Sequence, residues 1–314
     1  MKIPPELLSL EEFPTSAVFA EGIKSLRVER KARSVETILG VEYAAKSGMK
    51  LHLDILAPRV AEGDLETFPL VMFVQGSAWR RQNLAQQLAQ LTRFAASGLV
   101  IAMVEYRPSD LAPFPAQIRD ARTATRFMLE HAAEYRADPG RLVAWGDSSG
   151  GHTATMLALT EGLARFSDEA MPAAPLGIRG VVDYYGPSDL GSMNDEPSIQ
   201  DHDAPDSPEG RLLGGVRVSE NPELIRESSP LAYIDSSTPL PPFLIVHGDK
   251  DRLVPFGQSV MLYRKLRECG HAVDMYRLKG ADHSGEEFWS GEATRTITAA
   301  FIISRCSEGA KPLG

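Results

Sequence analysis

The sequence is poor in cysteine, in basic relative to acidic residues, and in long apolar runs. Only Cys269 and Cys306 occur among 314 residues, without a C-x-x-C spacing, which argues against a disulfide framework or a thiolate metal site. Lysine and arginine number 33 against 42 acidic residues, giving a net charge of −9 and no basic cluster. Nucleic-acid binding and binding to anionic membranes are therefore disfavoured.

No apolar run approaches the length of a membrane span, so a membrane protein is also disfavoured. The first dozen residues contain two prolines and several acidic side chains, where a signal peptide needs an unbroken apolar region. We therefore expect a cytoplasmic protein with reduced cysteines. Composition leaves open whether it forms a homo-oligomer.

Strand-like and helix-like segments alternate through most of the chain. Two strand-like runs, 35–44 and 49–56, flank a turn at Ser47-Gly48 and predict an antiparallel edge hairpin. Further strands are predicted over 69–74, 99–104, 142–145, 178–185, 243–246 and 273–278, and helices over 84–96, 115–135, 153–160, 256–268 and 286–304. The alternation predicts an α/β fold, with a mostly parallel twisted sheet and helices on both faces, in a single domain over residues 1–314.

Two segments depart from this alternation. Residues 1–30 mix prolines, charges and scattered apolar residues, which predicts an N-terminal arm. Residues 186–230 are long, acidic and interrupted by prolines, and they follow a strand whose end should lie at the functional edge of the sheet. We interpret this second segment as an inserted lid-like segment. Its carboxylates favour neutral substrates, such as acylated sugars or aryl esters, over anionic ones.

The motif Gly146-Asp147-Ser148-Ser149-Gly150 lies between a short apolar run and a segment suited to a buried helix. This G-x-S-x-G pattern in a strand–turn–helix context predicts a sharp turn that exposes the hydroxyl of Ser148 above the sheet. The glycines at both ends relieve crowding at such a turn. Ser148 is therefore the candidate nucleophile, although G-x-S-x-G also occurs by chance.

A serine nucleophile needs a base, and the base needs a carboxylate that fixes its tautomer. His283 follows a late strand and precedes the last helix, which is a suitable place for the base, whereas His247 ends a buried strand and suits a structural role. Both Asp249 and Asp251 follow the strand that ends near His247, and either could be the acid.

Two backbone N–H groups must stabilise the negative charge that develops on the substrate. One donor should be Ser149, directly after the nucleophile. The other should come from the loop Gln75-Gly76-Ser77-Ala78-Trp79, where Gly76 permits a close backbone approach and Ser77 is the expected donor. An ordinary glycine turn is the alternative interpretation of this loop.

These motifs together resemble the esterase/lipase group of α/β-hydrolases, close to the bacterial acetyl- and feruloyl-esterase-like subfamily. The matching pieces occur in the family's order over most of residues 68–290. They include Glu105-Tyr106-Arg107, the Ser148 motif, Tyr185-Gly186-Pro187, the strand and loop up to Asp251, and Gly280-Ala281-Asp282-His283. The resemblance implies an α/β-hydrolase fold with Ser148, Asp251 and His283 as the triad, and it favours Asp251 over Asp249.

The chain departs from the family at Gln75-Gly76-Ser77, where relatives usually carry His-Gly-Gly. We assign Gly76, Ser77 and Ser149 to the oxyanion hole, and Gln75, Trp79 and Asp147 to substrate binding. The expected activity is hydrolysis of a small-molecule carboxylic ester through an acyl-enzyme, without a metal or organic cofactor. An amidase or peptidase using the same triad is the main alternative, and a non-catalytic binding protein on this fold is a further one.

Overall fold

The computed structural model describes residues 8, 12–18, 20–25, 33–60, 63–168 and 175–306 of the 314. The chain divides into two compact units, Met1–Lys31 and Ala32–Gly314. The described residues of the first unit form turns and irregular segments without a helix or strand. The predicted arm over residues 1–30 lies outside the described residues at 16 of its 30 positions, and the single domain over 1–314 stays a prediction.

The strands of the second unit form one eight-stranded sheet in the order β1-β2-β4-β3-β5-β6-β7-β8. Pairs β1–β2 and β2–β4 are antiparallel and all other neighbours are parallel, which confirms the predicted sheet and its antiparallel edge hairpin. The strands are β1 (Val35–Lys46), β2 (Met49–Pro58), β3 (Phe68–Val74), β4 (Val100–Val104), β5 (Ala137–Asp147), β6 (Ile178–Tyr184), β7 (Phe243–Gly248) and β8 (Val273–Leu278).

Helices connect the parallel strands and cover the sheet. They are α1 (Leu88–Ala95), α2 (Ala116–Glu130), α3 (Ser149–Leu159), α4 (Pro208–Leu212), α5 (Pro222–Ser228), α6 (Phe256–Glu268), α7 (Glu286–Trp289) and α8 (Glu292–Cys306). Short 3-10 turns occupy Ala132–Tyr135, Ala164–Phe166, Leu190–Ser192, Val218–Glu220 and Pro230–Tyr233. None of the helices in the described part of the chain is long and apolar enough to cross a bilayer.

The central strands are buried on both faces because alternate side chains enter two different apolar clusters. In β3, Leu70 and Met72 pack with residues of α2 and α3, whereas Val71 and Phe73 pack with residues of α1 and α8. Trp145 of β5 lies edge-on to Phe73, with ring centroids 5.2 Å apart. Continuous apolar strands of this kind require helices on both faces, as the sequence pattern predicted.

The predicted helix over residues 286–304 is wrong in one respect, because it is divided between α7 and α8. The Thr294 hydroxyl donates to the carbonyl of Glu287 at 2.8 Å, and a continuous helix would pair that carbonyl with the N–H of Gly291. A Cβ at Gly291 would overlap the same carbonyl. Gly291 therefore permits a tight turn that a periodicity argument does not detect.

The carboxyl ends of β3, β5, β7 and β8 carry the loops that contain the candidate site residues. The loop after β3 holds Gly76 and Ser77, and β5 leads directly into the Ser148 turn. Parallel strands end at the same edge of a sheet, so these loops converge although they are far apart in sequence. The fold thus assembles at one edge the groups that the sequence analysis identified separately.

Gly150→Ala should destabilise this edge, because the added Cβ would overlap the backbone carbonyl of Val74 at the end of β3. Overpacking against backbone that cannot move costs 1–3 kcal/mol or more, so we expect a loss of at least about 2 kcal/mol in the free energy of unfolding. Urea denaturation measures the loss. Gly140→Ala is the matched control, since its Cβ would approach only the side chains of Asp138 and Arg179. Equal stability of the two variants would contradict the packing described here.

Candidate active site

Ser148 lies at the turn between β5 and α3 in a strained backbone conformation. Its φ is 53° and its ψ is −128°, a combination that residues with a side chain rarely adopt. Such strain costs on the order of 1–3 kcal/mol and persists only where the surrounding structure imposes it. The backbone N–H of Ser148 donates to the carbonyl of Tyr184 at 2.8 Å, and its carbonyl accepts from the N–H of His152 at 3.1 Å. These bonds hold the turn in place.

The backbone on either side of Ser148 packs too closely for any side chain. A Cβ at Gly146 would overlap the carbonyl of Gly150, and a Cβ at Gly76 would lie 2.7 Å from the Cβ of Ser148. The glycines at these positions therefore allow the end of β5, the start of α3 and the loop after β3 to touch. As a result, the hydroxyl of Ser148 lies beside the backbone N–H groups of that loop.

Three candidate side chains form a hydrogen-bonded chain. His283 Nε2 lies 2.9 Å from Ser148 Oγ, and His283 Nδ1 lies 2.6 Å from Asp251 Oδ2. With Nδ1 donating to the carboxylate, Nε2 is left to accept the Ser148 proton. The structure thus brings together the predicted nucleophile, base and acid in the geometry that their roles require.

Asp251 also accepts hydrogen bonds from three further groups. Its Oδ1 accepts from the N–H groups of Leu253 at 2.8 Å and Val254 at 2.9 Å, and its Oδ2 accepts from His247 Nε2 at 3.1 Å. Burial alone would raise the pKa of Asp251, but the hydrogen bonds from His247 and His283 hold that pKa well below its ordinary value. The carboxylate therefore stays ionised beside His283.

The alternative acid, Asp249, points elsewhere. Its Oδ1 accepts from the N–H of Gly280 at 2.6 Å and its Oδ2 lies 3.6 Å from Arg277 Nε, so it links the loop after β7 to the end of β8. His247 has the structural role predicted from its place at a strand end, since its Nδ1 bonds to Ser259 Oγ at 2.7 Å. His247 thereby orients the carboxylate of Asp251, a contact that the sequence analysis did not anticipate.

The loop after β3 differs from the prediction in the use of its N–H groups. The N–H of Gly76 donates to Asp147 Oδ1 at 2.8 Å, and the N–H of Ser77 donates to Ser149 Oγ at 2.9 Å. Gly76 therefore supports close packing, and its assignment to the oxyanion hole is corrected. Ser77 can serve there only if Ser149 Oγ releases its N–H, so its role stays a prediction.

Ala78 offers a donor that the sequence analysis missed. The N–H groups of Ala78 and Ser149 have no hydrogen-bond acceptor within the described part of the chain, and both residues line the cavity at Ser148. Ala78 has a φ of 56°, which reflects a tight loop rather than a sequence pattern. We therefore place Ala78 beside Ser149 as a candidate oxyanion donor.

Two of the three predicted substrate-binding residues have other contacts. Asp147 is buried, and its carboxylate accepts from Gly76 and, at 3.4 Å, from the Tyr185 hydroxyl, so it braces the loop after β3 rather than reaching a substrate. Gln75 is buried and donates through Nε2 to Gln87 Oε1 at 2.7 Å, away from the Ser148 cavity. Only Trp79 lines that cavity, and its indole N–H donates to His152 Nδ1 at 3.3 Å.

Burial raises the pKa values of two carboxylates behind the nucleophile turn. The pKa of Asp147 rises to about 6 and that of Asp183 to about 7, because hydrogen bonds from Gly76 and Gly186 offset only part of the cost of burying each charge. Burial likewise lowers the pKa of His152 to about 4. His152 is therefore neutral near pH 7 and supports Trp79 rather than acting as a base.

The Ser148 cavity is small, with a volume of about 60 Å³. Besides Ser148 and His283, its walls include apolar side chains and a buried ion pair in which His202 Nδ1 lies 3.0 Å from Glu209 Oε2. Burial alone would lower the pKa of His202, but Glu209 raises it above its ordinary value. The segment 186–230 supplies Pro187, Gln200, His202, Pro208 and Glu209 to this wall. A lid movement of that segment stays a prediction.

The parallel sheet, the strained serine turn and the Ser148–His283–Asp251 chain define an α/β-hydrolase fold. The BD-FAE family model matches residues 53–266, and the chain belongs to that family. Within the described residues, no group of three or more His, Cys, Asp or Glu side chains is placed to hold a metal ion.

Curated relatives and solved structures agree with this family. Esterase LipQ of Mycobacterium tuberculosis is 29% identical over 226 residues, 69% of this chain and 50% of LipQ, and Esterase LipC of the same organism is 27% identical over 75% of this chain and 57% of LipC. A truncated carbohydrate esterase from gut microbiota superposes with a TM-score of 0.74 at 26% identity, covering 89% of this chain and 98% of that one. The chain thus spans about half the length of these two curated relatives.

Asp251→Asn should lower kcat for ester hydrolysis by a factor on the order of 10⁴, because an amide at this position stabilises the wrong tautomer of His283. Steady-state rates with p-nitrophenyl acetate measure this loss. Asp249→Asn is the matched control, since Asp249 follows the same strand but contacts Gly280 and Arg277. The assignment of the acid would be reversed if Asp249→Asn caused the greater loss of kcat while both variants stayed folded.

Proposed function

We propose that this protein hydrolyses carboxylic esters through a covalent acyl-enzyme on Ser148. The observation that carries the proposal is the continuous hydrogen-bonded chain from Ser148 Oγ through His283 to Asp251, at 2.9 and 2.6 Å. Two relatives named as esterases and a structural neighbour named as a carbohydrate esterase support the same chemistry. Cytoplasmic location and homo-oligomerisation stay predictions from the sequence.

In the acylation step, Ser148 Oγ attacks the ester carbonyl while its proton passes to His283 Nε2. Asp251 stabilises the resulting imidazolium, to which it already bonds at 2.6 Å. The negative charge on the carbonyl oxygen is stabilised by the N–H groups of Ser149 and Ala78, and by that of Ser77 once Ser149 Oγ releases it. His283 then protonates the departing alcohol, so the C–O bond of the ester breaks and an acyl-serine remains.

In the deacylation step, His283 takes a proton from water as the water attacks the acyl-serine. The tetrahedral intermediate collapses with expulsion of Ser148 Oγ, which recovers its proton from His283, and the carboxylic acid leaves. The imidazole acts first as a base and then as an acid in each half-reaction, which its position between Ser148 and Asp251 permits. Every proton transfer in this scheme passes through His283, and the backbone N–H donors only stabilise negative charge.

We further propose that the acyl group is short, as in an acetyl ester. The cavity at Ser148, of about 60 Å³, is small beside the other concavities formed by the described residues, which reach about 750 Å³. A narrow cavity of this kind favours a small acyl group over a bulky one such as feruloyl. The apolar walls, including Trp79, Leu253 and Val254, favour a methyl group over a polar one.

The acyl preference and the nucleophile are tested with p-nitrophenyl esters of increasing chain length. We expect kcat/KM to fall at least ~10-fold from acetate to octanoate, because a long chain would have to displace buried side chains. Ser148→Ala should reduce turnover of every ester by several orders of magnitude, while far-UV circular dichroism stays unchanged. Constant kcat/KM across the series would contradict the acyl assignment, and activity surviving in Ser148→Ala would contradict the mechanism.

A further inference from the structure

A second concavity, of about 630 Å³, adjoins the opposite end of the loop after β3. We call it the arginine groove, because Arg80, Arg81 and Arg211 line it. Gly76 and Ser77 also line the groove, whereas the next two residues of the loop, Ala78 and Trp79, line the Ser148 cavity. Successive residues of one loop therefore line the groove and the Ser148 cavity.

The groove carries positive charge that forms no ion pair with any described residue. Arg80 and Arg81 are exposed, and neither forms an ion pair within the described part of the chain. Arg211 bonds through Nε to the backbone carbonyl of Asp206 at 2.9 Å, so its charge is also unpaired. Asp110 is the one carboxylate in the lining, which leaves 3 − 1 = +2 in a chain whose net charge is −9.

Three other exposed arginines of this protein form ion pairs with nearby carboxylates. Arg33 pairs with Glu66 at 2.7 Å, Arg217 pairs with Asp203 at 2.7 Å, and Arg252 pairs with Asp282. Guanidinium groups that are free of such pairs are well suited to a carboxylate ligand, because their planar N–H donors match its two oxygens. The groove therefore brings together three guanidinium groups that can bind an anion.

Two exposed amide side chains also line the groove. They belong to Asn83 and Gln86. Each amide carries an NH₂ group that donates hydrogen bonds and a carbonyl oxygen that accepts them. Amide groups of this kind suit the hydroxyl groups of a polyol.

We propose that the arginine groove binds the alcohol portion of the ester when that portion is a polyhydroxylated carboxylate, such as an acylated uronic acid. This proposal rests on the proposed esterase function, since it places the acyl group at Ser148 and the acidic sugar in the groove. The acidic segment 186–230 led us to expect neutral substrates. The structure differs locally, because Arg211 of α4 belongs to that same segment and faces the groove.

The test compares acetate release from O-acetyl-D-glucuronate and O-acetyl-D-glucose, which differ in the carboxylate. The wild type should have the higher kcat/KM for the glucuronate ester, and added NaCl should reduce this preference because salt screens the exposed charges. In a triple variant, Arg80→Gln, Arg81→Gln and Arg211→Gln, the ratio of the two kcat/KM values should fall at least ~10-fold. The control, Arg264→Gln, removes an exposed arginine of α6 that lies outside the groove and should keep the wild-type ratio.

A wild-type ratio near one, or a ratio that the triple variant leaves unchanged, would overturn the proposal. If neither sugar ester is hydrolysed, binding of free D-glucuronate and D-glucose is measured by calorimetry. Binding of glucuronate alone, lost in the triple variant and kept in Arg264→Gln, would support the groove while the esterase function fails. Equal or absent binding of both sugars would reject the groove. Circular dichroism of each variant ensures that a lost preference is not a lost fold.

Discussion

Contact between backbone segments at the Ser148 turn is the constraint on which the candidate site depends. No side chain fits between Gly146 and the carbonyl of Gly150, or between Gly150 and the carbonyl of Val74. These contacts bring the ends of β3 and β5 against the start of α3 and impose a positive φ on Ser148. The same contacts place free N–H groups beside the hydroxyl that is to attack. The second half of β5 is buried on both faces, and the stability gained from this burial offsets the local strain at Ser148.

The carboxylate of Asp251 links the two loops that carry the acid and the base. Asp251 accepts from two backbone N–H groups of its own loop and from His247 and His283, so it fixes the loop after β7 and orients the base that follows β8. Asp147 acts similarly on the loop after β3 through the N–H of Gly76. Two buried carboxylates therefore hold the loops of the site. Arg80 and Arg81, which form no ion pair with any described residue, are the groups that we propose bind a ligand.

The features of this protein that are predictable from sequence depend on short-range patterns. Strand and helix periodicity predicts the sheet, and the glycines around Ser148 predict the turn. The choice between Asp249 and Asp251 depended on family resemblance, because both residues follow the same strand. Roles that depend on long-range contacts are not predictable in this way. The sequence analysis placed Gly76 in the oxyanion hole, whereas its N–H donates to Asp147, which lies 71 residues later. The groove was also unpredictable, since Arg80 comes from the loop after β3 and Arg211 from α4, 131 residues later.

Covalent labelling tests most directly the claim that the strained turn presents an activated serine. The protein is incubated with a fluorophosphonate, and the adduct is located by intact mass and by peptide sequencing. The account predicts one adduct per chain, on Ser148, formed rapidly in the wild type and much more slowly in Asp251→Asn, because the base is then held in the wrong tautomer. An adduct on Ser149, or labelling of Ser148 no faster than that of the unfolded chain, would contradict it.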